Sequence, residues 1–170
     1  MTIFVYLHIN KGVQIMKLEN EIKQKAFTNP YQKLLVNILY TGSWLTLIES
    51  NYLKSYGLTL PQYNVLRILR GQSPTPTTIN DIIDRMLDKS SNASRIVDKL
   101  VLKKYVDRKV CEKDKRAVDV VITQKGQELL SEIDKKTPEW EERFKTLTPI
   151  QATKVNDLLD KLRDSDIYSF

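Results

Sequence analysis

Between Thr78 and Thr123 the apolar residues change their spacing from helical to alternating, and that succession limits the folds open to the chain. Ile79, Ile82, Ile83 and Met86 recur at helical spacing behind Thr78, a cap residue with Asp81 at the reciprocal position. Asp88-Lys89-Ser90 is too brief for anything but a tight turn. Ser90-Ser91-Asn92-Ala93-Ser94-Arg95 then opens a second helix, with Ala93, Ile96, Val97, Leu100 and Val101 expected inward. From Tyr105 to Cys111 and from Ala117 to Ile122 the residues alternate as in two antiparallel strands. Glu112-Lys113-Asp114-Lys115-Arg116 forms the charged loop between them. Helix, turn, helix and hairpin in this order predict a winged helix-turn-helix that reads DNA.

Charge supports the same stretch. Lys89 to Arg116 holds ten basic and four acidic residues, an excess that equals the net charge of the whole chain, +6. A basic excess confined to a helix and a hairpin is the footprint of a phosphate-binding face; the plainer reading is a solvated charged face. On the second helix Ser91, Asn92, Ser94, Arg95, Asp98 and Lys99 are left pointing outward, mostly in its N-terminal half. Recognition helices contact base edges with that half. Arginine reads guanine through paired hydrogen bonds, and asparagine can read adenine. Serine hydroxyls and the helix N-terminus suit phosphate or either base, although Ser90, Ser91 or Asn92 must also supply the helix cap.

Helical segments flank this region. Asn29-Pro30 restarts a helix with proline in its first turn. Tyr31, Leu34, Leu35, Ile38, Leu45, Ile48 and Tyr52 then keep helical spacing for about six turns. Val36, Leu39, Trp44, Leu47 and Leu53 widen the stripe beyond one face, which predicts more than one partner surface. Tyr56-Gly57 ends that helix, and Thr59-Leu60-Pro61-Gln62 caps the next. Thr123 caps a helix from Gln124, which runs to Thr137-Pro138. Thr148-Pro149-Ile150-Gln151 caps the last one, which carries Val155, Leu158, Leu159 and Leu162.

Other chemistries find little support. One cysteine, Cys111, excludes an intrachain disulfide and fits a reducing cytoplasm; one histidine, His8, lies far from it, so no His/Cys zinc set forms. There is no Ser/His/Asp or Cys/His set and no Gly-rich phosphate loop, so no enzyme and no cofactor are expected. No apolar run approaches the roughly 20 residues that span a bilayer. Residues 1–15 are apolar at Ile3 to Leu7 but make a poor signal peptide. They read either as a leader ahead of a start at Met16 or as an ordinary extra arm. Cys111, between Lys109 and Lys113, could be a wing thiol whose oxidation perturbs DNA contact, or a bystander.

Three motifs in order resemble the multiple-antibiotic-resistance regulator (MarR) family. Leu58-Thr59-Leu60-Pro61-Gln62-Tyr63 is similar to the family's second-helix opening, and Arg95-Ile96-Val97-Asp98-Lys99-Leu100 to its recognition helix. The wing is the most specific: Asp114-Lys115-Arg116, then Ile122-Thr123 at the end of the strand, then Lys125-Gly126. Ile122 stands where the family has leucine. The resemblance spans about Tyr31 to Leu162 and implies an obligate homodimer with intertwined terminal helices. It implies Arg116 in the minor groove, braced by Asp114. It also implies repression more often than activation, relieved by a small, often aromatic and anionic ligand. Tyr40, Trp44 and Tyr63 are candidates to line the ligand cleft, or simply core aromatics.

The expected architecture is therefore mainly α with a small β-hairpin wing, a winged helix-turn-helix flanked by N- and C-terminal dimerisation helices. The partition is 1–15 leader, 16–57 N-terminal dimerisation region, 58–123 DNA-binding region and 124–170 C-terminal dimerisation helices. Recognition helix 90–103 and wing 106–122 would carry the contacts to double-stranded DNA: Ser90, Ser91, Asn92, Ser94, Arg95, Lys99, Lys113, Asp114, Lys115 and Arg116. A winged-helix module for protein contact alone is the alternative reading.

Overall fold

The computed structural model describes residues 16–110, 118–136, 139 and 142–164. The chain divides into two compact units, one ending at Tyr52 and one beginning at Leu53.

In the first unit a single turn, α1 (Leu18–Glu21), precedes the long helix α2 (Pro30–Lys54), which leaves the unit after Tyr52. α1 is only one turn long, and Lys23 just beyond it adopts a left-handed φ of 55°. The Asn29 carboxamide accepts from Gln32 N–H at 2.9 Å, and Gln32 Oε1 accepts from Thr28 N–H at 2.7 Å. That reciprocal cap, with Pro30 at the first position, sets the start the sequence predicts. Lys33 reaches back to Glu19 at 2.6 Å, and the Tyr40 hydroxyl donates to Glu21 at 2.9 Å, so two polar contacts tie α1 to α2.

The second unit holds the remaining elements. The end of α2 is turned by Gly57 at φ 66°, the left-handed conformation that glycine tolerates, with Leu58 N–H bonded to the Leu53 carbonyl at 3.1 Å. There follow α3 (Leu60–Gln72), β1 (Thr77–Thr78), α4 (Ile79–Arg85), α5 (Ala93–Leu102), β2 (Val106–Val110), β3 (Val118–Ile122), α6 (Gln124–Asp134) and α7 (Pro149–Arg163). Thr59, Thr78 and Thr148 each form a full capping box, with Gln62, Asp81 and Gln151. β2 and β3 pair antiparallel from Val106↔Ile122 to Val110↔Val118. β1, two residues that no alternation announces, adds to the other side of β3 at Thr77↔Val120, so the sheet order is β1-β3-β2. Hence the sheet has three strands where the sequence pattern shows a hairpin.

The core fills the space between these elements. Val65, Leu66 and Leu69 of α3, Ile82 of α4 and Val97 and Leu100 of α5 are fully or almost fully buried. Val106 and Val120 from the sheet and Leu130 of α6 join them. Ala93, Val97 and Leu100 recur at i, i+4 and i+7, so α5 buries one stripe and exposes the opposite one. Ile96 and Val101 are only half-buried, at the edges of that stripe. Between α3 and α6, Asp134 accepts from Arg67 at 2.9 Å and from Arg70 at 2.6 Å, a bridge the sequence pattern does not disclose.

α6 packs closely against the turn that leaves α5. Thr123 Oγ1 accepts from Gly126 N–H at 3.1 Å and donates to the Lys104 carbonyl at 2.9 Å, while Thr123 N–H bonds the Tyr105 carbonyl at 3.0 Å. Lys125 donates to the Lys103 carbonyl and lies over the Tyr105 ring, 4.9 Å from its centroid. A Cβ at Gly126 would stand 2.4 Å from the Tyr105 carbonyl oxygen and 2.8 Å from Ile122. Gly126→Ala must therefore push α6 away from this turn and should cost about 1–3 kcal/mol. Urea denaturation checks this; a midpoint equal to the parent's would contradict the close packing.

Candidate nucleic-acid interface

The exposed side of α5 begins one turn later than the sequence reading places it. Asn92 is the cap: its side chain accepts from Arg95 N–H at 3.0 Å, and the helix starts at Ala93 rather than Ser90. Ser90 and Ser91 lie in the preceding turn, bonded to Asp88 through both hydroxyls at 2.6 Å. The physical reason is competition: Asp88 offers these serines a local partner that a helical backbone would deny them. Asn64 of α3 steadies the turn by accepting from Leu87 N–H at 3.1 Å.

Arg95 and Lys99 are exposed and one turn apart on the same face. Neither side chain forms an ion pair among the described residues. Ser94 beside them is half-buried. Asp98, also on this face, accepts from Arg108 of β2 at 2.5 Å and so ties the helix to the first strand of the wing. Lys103 points back into its own unit, donating to the Gly57 carbonyl at 2.6 Å and to Gln62 at 3.1 Å. Basic residues that the sequence groups together thus divide. Arg108 and Lys103 hold the fold, while Arg95 and Lys99 remain available. The wing residues Lys113, Asp114, Lys115 and Arg116, and Cys111 with them, lie outside the described residues.

The three candidate ligand residues are divided between the two units. Tyr40 and Trp44 line an open cleft of about 410 Å³ in the first unit, with Met16, Leu18, Glu21, Asn37 and Thr41. Tyr63 belongs to the second unit, where Arg67 lies 5.9 Å from its ring centroid. Among the described residues the one charged side chain on the cleft is Glu21, already bonded to Tyr40. That hydrogen bond, with lesser contributions from burial and charge, raises the Tyr40 pKa above its ordinary value.

Sequence reasoning misses the partners of three acidic residues, Asp88 and Asp98 on this surface and Asp134 between α3 and α6. Asp88 has a legible signal, since Asp-x-Ser-Ser invites side-chain bonds to the turn. Asp98 and Asp134 meet partners 10 and 64 to 67 positions away, which no local pattern reveals.

Comparison with known proteins bears on this geometry. Residues 56–117 match the family model described as "MarR family". The transcriptional repressor MprA of Escherichia coli (strain K12) is 26% identical over 106 residues, covering 61% of this chain and 60% of that protein. The chain thus spans about 60% of the length of that relative. A MarR/EmrR family transcriptional regulator from Acinetobacter sp. ADP1 superposes with a TM-score of 0.66 at 27% identity, covering 80% of this chain and 96% of that one. A mutant MarR from Escherichia coli, solved in complex with operator DNA, shares the fold: TM-score 0.65, 23% identity, 86% and 99% coverage.

Asn92 offers a test of how the exposed helix is set. Asn92→Ala should lower stability by about 1 kcal/mol, whereas Asn92→Ser, an equivalent cap, should stay within a few tenths of the parent. Urea midpoints for both variants decide it; equal midpoints for alanine and parent would show that the cap contributes nothing.

Proposed function

We infer that this chain is a member of the MarR family of transcriptional regulators and acts as a homodimeric repressor of a near-palindromic operator. It is a regulator and not an enzyme. One observation carries the reading. α5 is locked on one face by Ala93, Val97 and Leu100, and its opposite face presents Arg95 and Lys99 without ion pairs among the described residues. A rigid helix with two unneutralised cations suits a major groove better than it suits solvent. Ser90, Ser91, Asn92 and Ser94 stand beside them at the N-terminal end. The wing tip, Lys113, Asp114, Lys115 and Arg116, is assigned to the flanking backbone and minor groove on the family resemblance. Narrow A·T-rich minor grooves attract such an arginine.

The regions 16–57 and 124–170 are assigned to dimerisation. On α2, Tyr31 is 82% exposed and Leu39 and Leu47 are each 61% exposed; on α7, Ile150 is 81% and Leu158 57% exposed. Apolar residues at helical spacing in solvent favour a partner, and a second copy would set two recognition helices roughly 34–36 Å apart. Among the described residues no helix is long and apolar enough to cross a membrane, so these stripes are not spans. We place the regulator in the cytoplasm, with DNA.

Release by a small aromatic ligand is part of the proposal, with the cleft at Tyr40 and Trp44 as its seat. Its lining alters the expected chemistry. Glu21 would repel the anions the resemblance implies, so a neutral or cationic aromatic suits this cleft better.

Binding to the protein's own promoter DNA across a salt series tests the function. Specific affinity should fall linearly on a log–log plot against salt. Arg95→Ala should cost on the order of 1–3 kcal/mol per half-site. Affinity unchanged by that substitution would remove Arg95 as a base reader. Absence of any specific site would favour a protein-contact module instead.

A further inference from the structure

Asp88 is the residue of this face that base reading leaves without a role. Its carboxylate takes three hydrogen bonds from the turn. Oδ1 accepts Ser90 N–H at 3.0 Å and the Ser90 hydroxyl at 2.6 Å, and Oδ2 accepts the Ser91 hydroxyl at 2.6 Å. The serine hydroxyls, then the turn's backbone, hold its pKa below the usual carboxylate range, so it is ionised at neutral pH. An ionised carboxylate can only accept, so serine is the donor in both hydroxyl contacts. A serine hydroxyl has one proton and two lone pairs. With that proton committed to Asp88, Ser90 and Ser91 can offer any outside partner lone pairs only.

DNA phosphate oxygens accept hydrogen bonds and donate none. In the major groove guanine N7 and O6, adenine N7 and thymine O4 also only accept. The donors there are the amino groups adenine N6 and cytosine N4. Resting on the reading that this face meets DNA, we propose that Asp88 is a specificity-determining positioning residue. By holding the Ser90 and Ser91 protons it excludes direct serine–phosphate bonds and turns both hydroxyls toward adenine or cytosine amino groups. Arg95 and Lys99, one and two turns further along, can only donate. The interface therefore has an acceptor end in the turn and a donor end on the helix. Sliding the protein along DNA would set acceptor against acceptor or donor against donor.

The test removes one major-groove amino group at a time. Operator duplexes carry purine in place of a single adenine, or 2-pyrimidinone in place of a single cytosine, and full-length protein is titrated by fluorescence anisotropy. At one or more positions per half-site the loss of the amino group should weaken the parent about tenfold. At the same position it should change Ser90→Ala/Ser91→Ala less than twofold, and Asp88→Ala should lose the discrimination as well. The proposal is overturned if no position separates the parent from the double serine variant, or if Asp88→Ala discriminates as the parent does. Should Asp88→Ala not fold, parent and double serine variant decide alone. Specific binding that ignores every amino deletion overturns only the role of Asp88; a parent with no specific site overturns the DNA reading too.

Discussion

The second unit depends on the contact between the start of α6 and the turn that leaves α5. Lys104 takes a left-handed φ of 62°, and its carbonyl and that of Tyr105 are both bound by Thr123. Gly126 lets the helix approach within a distance no side chain would permit. Because β2 begins at Val106, immediately after this turn, the same few atoms orient α5, β2 and α6. Lys125, between them, adds a hydrogen bond and an aromatic contact. The Thr-Gln-Lys-Gly sequence, which in isolation reads as an ordinary helix start, is the joint on which α5, β2 and α6 meet.

Charge is distributed by function around that joint. A count from Lys89 to Arg116 treats every cation alike, but the geometry does not. Lys103 satisfies a carbonyl and a buried glutamine at the head of α3, and Arg108 anchors the sheet to α5 through Asp98. Solvent reaches both partners of that last pair, so it holds orientation more than it adds stability. Asp134 gathers Arg67 and Arg70 on another side of the unit. What remains for a polyanion on the described part of α5 is Arg95 and Lys99.

Much of this is legible in the sequence because it is local. Thr59 with Gln62, Thr78 with Asp81, Thr148 with Gln151 and Thr123 before Gly126 each declare a helix start within four residues, and each is found where the pattern puts it. The stripe Ala93, Val97, Leu100 follows from spacing alone, and the family resemblance supplies the order of the elements. The misses are of two kinds. Serine suits both a cap and a turn, so spacing draws Ser90 and Ser91 into the helix, and Asp88 decides otherwise. β1 is two residues long, too short for any alternation, and the Asp98 and Asp134 bridges join residues far apart in sequence.

The repeated caps have a bearing on how the chain acquires its shape. α3, α4, α5, α6 and α7 each have an N-terminal side-chain bond to a backbone N–H three residues on. Such a bond needs no distant partner, so each boundary is specified as soon as its own few residues exist. Contacts close in sequence carry a small loop-closure cost and favour rapid ordering. α5 precedes α7 in the chain, so its start is specified before α7 has been made.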